Sequence, residues 1–176
     1  MAAVSTSRRS TAGIVLVIAG ALLLLHAILG FAGVTALGPW LGVLANLAIG
    51  VAFLILAIAS FRGTLSRIAL VVSAVGFLLL ALGAVVTLPA PIGTIAAVAA
   101  AVGMLVAAIA LYVGKEITNQ TAIAFIVTAV LYAILVLGPL VGLALGTFGA
   151  VLALLFAIGV LVTGLLLARV QGSRGR

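Results

Sequence analysis

The sequence predicts an all-α integral membrane protein of six spanning helices, arranged as three tandem hairpins with both termini on one side. Three observations predict it. The 8 Lys+Arg and single acidic residue, Glu116, leave charge-free runs over 10–61, 68–114 and 117–168. Each run is about twice the roughly 20 apolar residues of helix that cross a bilayer core of about 30 Å. The hydrophobic fraction of 68% and mean hydropathy of +1.66 exclude an ordinary soluble domain, which is about half apolar and a quarter charged. Finally, breaks rich in Gly and Pro alternate along the chain with connections that carry charge.

These breaks divide the runs into helices expected at 11–33, 40–61, 66–88, 92–114, 119–138 and 146–168. Helix 1 follows Arg8-Arg9 and ends before Gly38-Pro39; helix 2 runs from there to Arg62. Helix 3 starts near Arg67 and stops at Pro89-Ala90-Pro91, and helix 4 runs on to Lys115-Glu116. Helix 5 is expected to end at Gly138-Pro139, and helix 6 before Arg169. At each uncharged break a Pro fixes φ and lacks an N–H, so a continuous helix is disfavoured.

The alternation also predicts orientation. Arg8, Arg9, Arg62, Arg67, Lys115, Arg169, Arg174 and Arg176 all fall on one side of a six-span chain, and the other side carries no charge. Lys and Arg are enriched in short cytoplasmic segments, so both termini are expected in the cytoplasm. Trp40 and Tyr112 then sit at opposite interfaces, as aromatic anchors do. Ser7-Arg8-Arg9-Ser10-Thr11 has the look of a twin-arginine export signal. The apolar stretch behind it exceeds the 7–15 residues of a signal core and lacks a small-x-small cleavage site, so an uncleaved first helix is expected.

Composition removes most chemistry. With no Cys, disulfides, thiolate nucleophiles and iron–sulfur clusters are excluded. One His, one Glu and no Asp cannot build a zinc site, paired haem ligands or a carboxylate dyad. No Ser lies in a Gly-x-Ser-x-Gly context, and Lys115 lies in Gly-Lys-Glu rather than a phosphate-binding loop. No enzyme activity and no cofactor are therefore expected. The net charge of +7 belongs to short segments between apolar runs, so its expected partner is a membrane surface and not nucleic acid. Seven Arg to one Lys, with 35 Ala, point to a GC-rich bacterial genome and hence to a plasma (inner) membrane. Glu116 beside Lys115 is expected as a solvated ion pair.

A repeat organises the chain. Arg9, Arg62, Lys115 and Arg169 are spaced by 53, 53 and 54 residues. Ala48-Ile49-Gly50-Val51, Ala101-Val102-Gly103-Met104 and Ala157-Ile158-Gly159-Val160 echo one another in the second helix of each hairpin, and Leu29-Gly30, Leu82-Gly83 and Leu137-Gly138 echo in the first. One membrane domain, 1–176, is thus expected from hairpins at about 9–62, 63–115 and 116–169. Gly38, Gly42, Asn46 and Gly50 recur every four residues along one face of helix 2. Small residues at that spacing let backbones approach where lipid supplies no hydrophobic drive. Gly103 and Gly159 offer the same on helices 4 and 6, so the even helices are expected to form the inner contacts.

The unit from Arg9 to Arg62, with Gly20, His26, Gly42, Gly50 and Arg62 as landmarks, resembles the hairpin repeat of HdeD-like acid-resistance membrane proteins. The resemblance covers nearly the whole chain through three copies and implies a six-span layout. It carries no catalytic residues onto this sequence.

Intramembrane polar residues are where function is sought. His26, Asn46 and Tyr132 are expected at similar depth in the outer half. They form either an outward pocket for a small ligand or lipid headgroup, with His26 buried and neutral, or a packing layer in which His26 and Asn46 hydrogen-bond each other. Ser73, Thr87, Thr128 and Thr163 are expected to bond their own i−4 carbonyls. Two functions remain open. One is a structural or interaction component, either an HdeD-like stress protein or an accessory subunit packed on other membrane subunits or on copies of itself. The other is a small-molecule transport component, such as the six-span substrate-binding subunit of a vitamin importer.

Overall fold

A computed structural model of the chain describes residues 2–34, 36–59 and 63–169. The basic landmarks Arg62, Arg174 and Arg176 lie outside the described residues. Six α-helices follow in order: α1 (Ala2–Phe31), α2 (Gly38–Ile58), α3 (Thr64–Gly83), α4 (Ala90–Val113), α5 (Asn119–Leu140) and α6 (Gly146–Arg169). All six are long and apolar enough to cross a bilayer, which fits a multi-pass membrane protein.

The boundaries differ from expectation where local chemistry decides them. Pro39 and Pro91 lie in the first turns of α2 and α4, where a missing N–H removes no helical bond. Pro139 lies inside the last turn of α5 and does not end it. That helix stops at Gly142, whose φ of +86° is a left-handed conformation natural to glycine. There Leu143 N–H donates to Gly138 O and Gly142 N–H to Pro139 O. α1 closes in the same way at Gly33, with φ +74°. α3 ends at Gly83, short of the expected 88, in a turn where the Val85 and Val86 N–H groups both donate to Leu82 O. α1 begins well before residue 11, and its Thr11 hydroxyl donates to Ser7 O four residues back.

Among the described residues each helix packs on its two sequence neighbours, and α6 closes on α1. The result is an up-and-down ring of six antiparallel neighbours. One rim carries Arg8, Arg9, Arg67, Lys115, Glu116 and Arg169 and is called here the basic end; the turns at the other rim carry no charge.

Two seams of the ring are close enough for backbone contact. Between α1 and α6, a Cβ on Gly13 would fall 2.5 Å from the Ala168 nitrogen, on Gly20 2.6 Å from that of Leu161, and on Gly164 2.7 Å from that of Val17. Between α3 and α4, a Cβ on Gly76 would fall 2.5 Å from the Ala100 nitrogen and on Gly103 2.7 Å from that of Ser73. The small residues that permit this recur every seven positions: Gly13, Gly20 and Ala27; Ala150, Ala157 and Gly164; Ala69, Gly76 and Gly83; Ala96, Gly103 and Ala110. Spacing by seven keeps a residue on one stripe of a helix over several turns. Each seam therefore joins an odd helix to an even one, instead of even helices meeting at the centre. Gly50 faces Ala74 and Leu78 of α3, and Gly159 faces Thr128 of α5, whereas Gly42 faces open space.

Aromatic side chains fill the middle of the ring. Phe53 meets Phe77 and Phe125 at centroid distances of 5.8 and 5.6 Å; Tyr132 meets Phe77 at 5.0 Å and stacks on Phe156 at 4.9 Å. Such offset and edge arrangements suit ring quadrupoles. Leu16, Ile49, Met104, Phe125, Val160 and Thr163, from five helices, surround a central space of only about 10 Å³. That is at most one water.

Candidate functional site

Among the described residues, the charged groups and the single His lie at the two ends of the ring. At the uncharged end, His26 lies two heptads beyond Ala12 and one beyond Ala19, both fully buried, so it continues the inward line of α1 up to the rim. There the ring opens and His26 is exposed, not buried as expected. Its Nδ1 lies 2.8 Å from Gly38 O at the start of α2. A carbonyl only accepts, so Nδ1 carries the proton, and the neutral ring keeps its lone pair on Nε2.

His26 lines a cleft of about 300 Å³ between α1 and α6, walled by Leu23, Ala27, Phe31, Ala150, Ala153 and Phe156. Asn46 and Tyr132 do not line it. Asn46 is half-buried on α2 and makes no hydrogen bond among the described residues. Tyr132 belongs to the aromatic core. The three residues therefore share no pocket, and His26 bonds the Gly38 carbonyl through Nδ1 where a bond to Asn46 was expected. Gly38 itself is buried against the His26 ring.

At the basic end the functional geometry centres on Glu116, which the sequence misled. α4 closes with Lys115 N–H donating to Tyr112 O and Glu116 N–H to Leu111 O. This turn requires a left-handed residue, and Lys115, at φ +50°, occupies the position usually given to glycine. The turn aims Glu116 at the start of α3. Its Oε1 accepts from the Gly63 backbone N–H and the Ser66 hydroxyl, both at 3.1 Å. A carboxylate there also meets the positive end of the α3 dipole. Arg9 of α1 donates from an Nη to Glu116 O at 3.1 Å, and Arg8 donates to Ile58 O at the end of α2 at 3.5 Å. Both arginines lie where helix dipoles end negative. Glu116 is thus a half-buried clasp joining α1, α3 and α4, and not a solvated partner of Lys115. Gly114, the residue that would signal such a turn, is right-handed at φ −72°, so the left-handed position falls one residue later and the sequence does not single out Glu116.

Beside the clasp, Leu65, Ser66, Val106, Ile109, Val113 and Glu116 line a second cleft of about 390 Å³ between α3 and α4. In the interior, the Ser73 hydroxyl donates to Ala100 O across the α3–α4 seam at 2.9 Å, instead of to its own helix. Thr128 does bond its i−4 carbonyl, Ala124 O, and also meets Thr163 of α6 at 3.4 Å. Among the described residues, no three of His, Asp or Glu come together as a metal site would require.

No protein-family model, curated protein or solved structure matches this chain significantly.

Proposed function

We propose that this chain is a non-enzymatic component of a bacterial plasma membrane, acting through helix packing with other membrane subunits or with copies of itself. In this reading the basic end faces the cytoplasm and the three hairpins form one domain in tandem. The observation that carries it is the aromatic interior: Phe53, Phe77, Phe125, Tyr132 and Phe156 occupy the space where a transport path along the ring axis would run. The sequential ring supports the tandem-hairpin reading, since three like hairpins inserted the same way close into such a ring. The match is imperfect. Gly103 and Gly159 face the first helix of their own hairpins, while Gly50 faces the first helix of the next one. The resemblance of the Arg9 to Arg62 unit to HdeD-like proteins points to a role in stress protection, and an accessory subunit of a larger complex uses the same packing surfaces.

The cleft beside His26 favours a second reading, a small-molecule transport component resembling the substrate-binding subunit of a vitamin importer. Native mass spectrometry of the protein extracted in a mild detergent separates them. A defined homo-oligomer or a constant membrane partner, with no solute flux in proteoliposomes, is expected. An ATPase module retained together with a vitamin would overturn the structural reading.

A further inference from the structure

We infer that the cleft at the uncharged end of the α1–α6 seam binds a long-chain lipid alcohol, whose hydroxyl donates to Nε2 of His26. The seam changes character along its length. In its basic half Gly13, Gly20 and Gly164 bring the two backbones into contact. In the other half small residues continue on both walls, with Ala27 and Gly30 on one side and Ala150 and Ala153 on the other, yet a Cβ on Gly30 would meet nothing within 4 Å. The small side chains there do not close the seam. They shape a cleft of about 300 Å³ with Phe156 among its walls, at the lower limit of the volumes that hold small ligands, roughly 300–1,000 Å³.

The lining decides the ligand class. Every side chain in it is apolar except His26, so the bulk of the ligand is apolar. The one polar group is already oriented: Gly38 O holds the proton on Nδ1, and in the neutral ring Nε2 is left as an acceptor with no partner among the described residues. A ligand that brings a donor is therefore the one this nitrogen can orient. No Lys, Arg, Asp or Glu lines the cleft, so a phosphate or carboxylate head finds no donor and an ammonium head finds no counter-charge. A neutral hydroxyl on a hydrocarbon chain meets both requirements. The same selection rule, an apolar pocket with one placed polar group, orients ligands in binding sites generally.

The chain has a single His, so ¹⁵N-histidine labelling gives one imidazole spectrum. The full chain in phosphatidylcholine nanodiscs would be titrated at alkaline pH with 1-dodecanol and, at equal mole fraction, with its methyl ether. The neutral ring is expected as the Nδ1-protonated tautomer, and the Nε2 resonance should move upfield with the alcohol and not with the ether. Binding should favour the alcohol about three- to tenfold, as one hydrogen bond does. His26→Phe, at an exposed position, should abolish that preference while the chain still binds, and Ala153→Phe should weaken both ligands by filling the cleft. An Nε2-protonated tautomer, equal binding of alcohol and ether to the native chain, or alcohol binding untouched by Ala153→Phe would overturn the proposal.

Discussion

Glu116 Oε1 lies 3.1 Å from the backbone nitrogen of Gly63, so the only acid in the chain closes the start of α3 from the far end of α4. The same oxygen holds the Ser66 hydroxyl, and its backbone carbonyl holds Arg9. Glu116→Ala leaves the half-buried Gly63 N–H without that acceptor, while the Ser66 hydroxyl keeps the Gly63 carbonyl at 2.8 Å, a loss of about 1–3 kcal/mol. Glu116→Gln keeps an acceptor oxygen and gives up the charge at the helix end, about 0.3–1 kcal/mol. Thermal unfolding in detergent should therefore rank native above Gln above Ala; equal midpoints would show that the clasp contributes nothing.

Lys115 adopts the left-handed conformation that delivers Glu116, and a side chain there is strained by roughly 1–2 kcal/mol. Lys115→Gly should raise the unfolding midpoint. Lys115→Val should lower it, since a branched Cβ fits that region worst. A midpoint that falls with Gly would mean that the Lys charge outweighs the backbone strain.

The two close seams predict an uneven response to glycine replacement. Gly76→Ala and Gly103→Ala drive a methyl against the backbone of a neighbouring helix, and overpacking of that kind costs about 1–3 kcal/mol. Gly42→Ala meets open space and should be neutral or slightly stabilising. Gly50→Ala meets the Leu78 side chain, which can move, and the Ala74 carbonyl at 3.2 Å, and should fall between them. Unfolding midpoints of the four variants in one detergent give the ranking, and a Gly42 variant as damaged as Gly103 would contradict the ring.

The apolar helices were legible because length and charge-free composition determine which segments can span a bilayer, whatever their neighbours. The seams were less so. Gly38, Gly42 and Gly50 share one face at four-residue spacing, yet Gly42 is unpacked and the backbone contacts run through stripes spaced by seven. Abundant Gly and Ala satisfy both periods, and only the partner helix chooses between them. Tyr132 and Asn46 were placed by depth alone, but depth does not fix the direction a side chain takes around its helix. Tyr132 stacks on Phe156, and Asn46 stands apart from the His26 cleft. Glu116 was misread because its adjacent Lys115 is a neighbour in sequence, whereas its bonds are to Gly63 and Ser66, about 50 positions away.

Polar couplings across helices can be located by double-mutant cycles. Thr128 and Thr163 touch across the α5–α6 contact, so Thr128→Val and Thr163→Val should couple by about 0.5–1 kcal/mol. His26 is bonded to the Gly38 carbonyl and not to Asn46, so His26→Ala and Asn46→Ala should add within about 0.3–0.5 kcal/mol. Coupling in the second cycle and additivity in the first would reverse the assignment of the interior contacts.

The orientation proposed for the ring rests on charge and can be tested without background, because the chain has no Cys. Arg8, Arg9, Arg67, Lys115 and Arg169 lie at one rim, and moving such residues across a membrane is opposed by the positive-inside bias. The opposite turns contain Leu37 and Val141, both exposed, and the half-buried Leu88. Single cysteines at these three positions should react with a membrane-impermeant maleimide added to intact cells. A cysteine at exposed Thr64, beside the basic rim, should react only after the membrane is opened. The reverse pattern would place the His26 cleft on the cytoplasmic side and the Glu116 clasp outside. A mixed pattern within the three turns would break the ring itself, since antiparallel neighbours place all three at one rim.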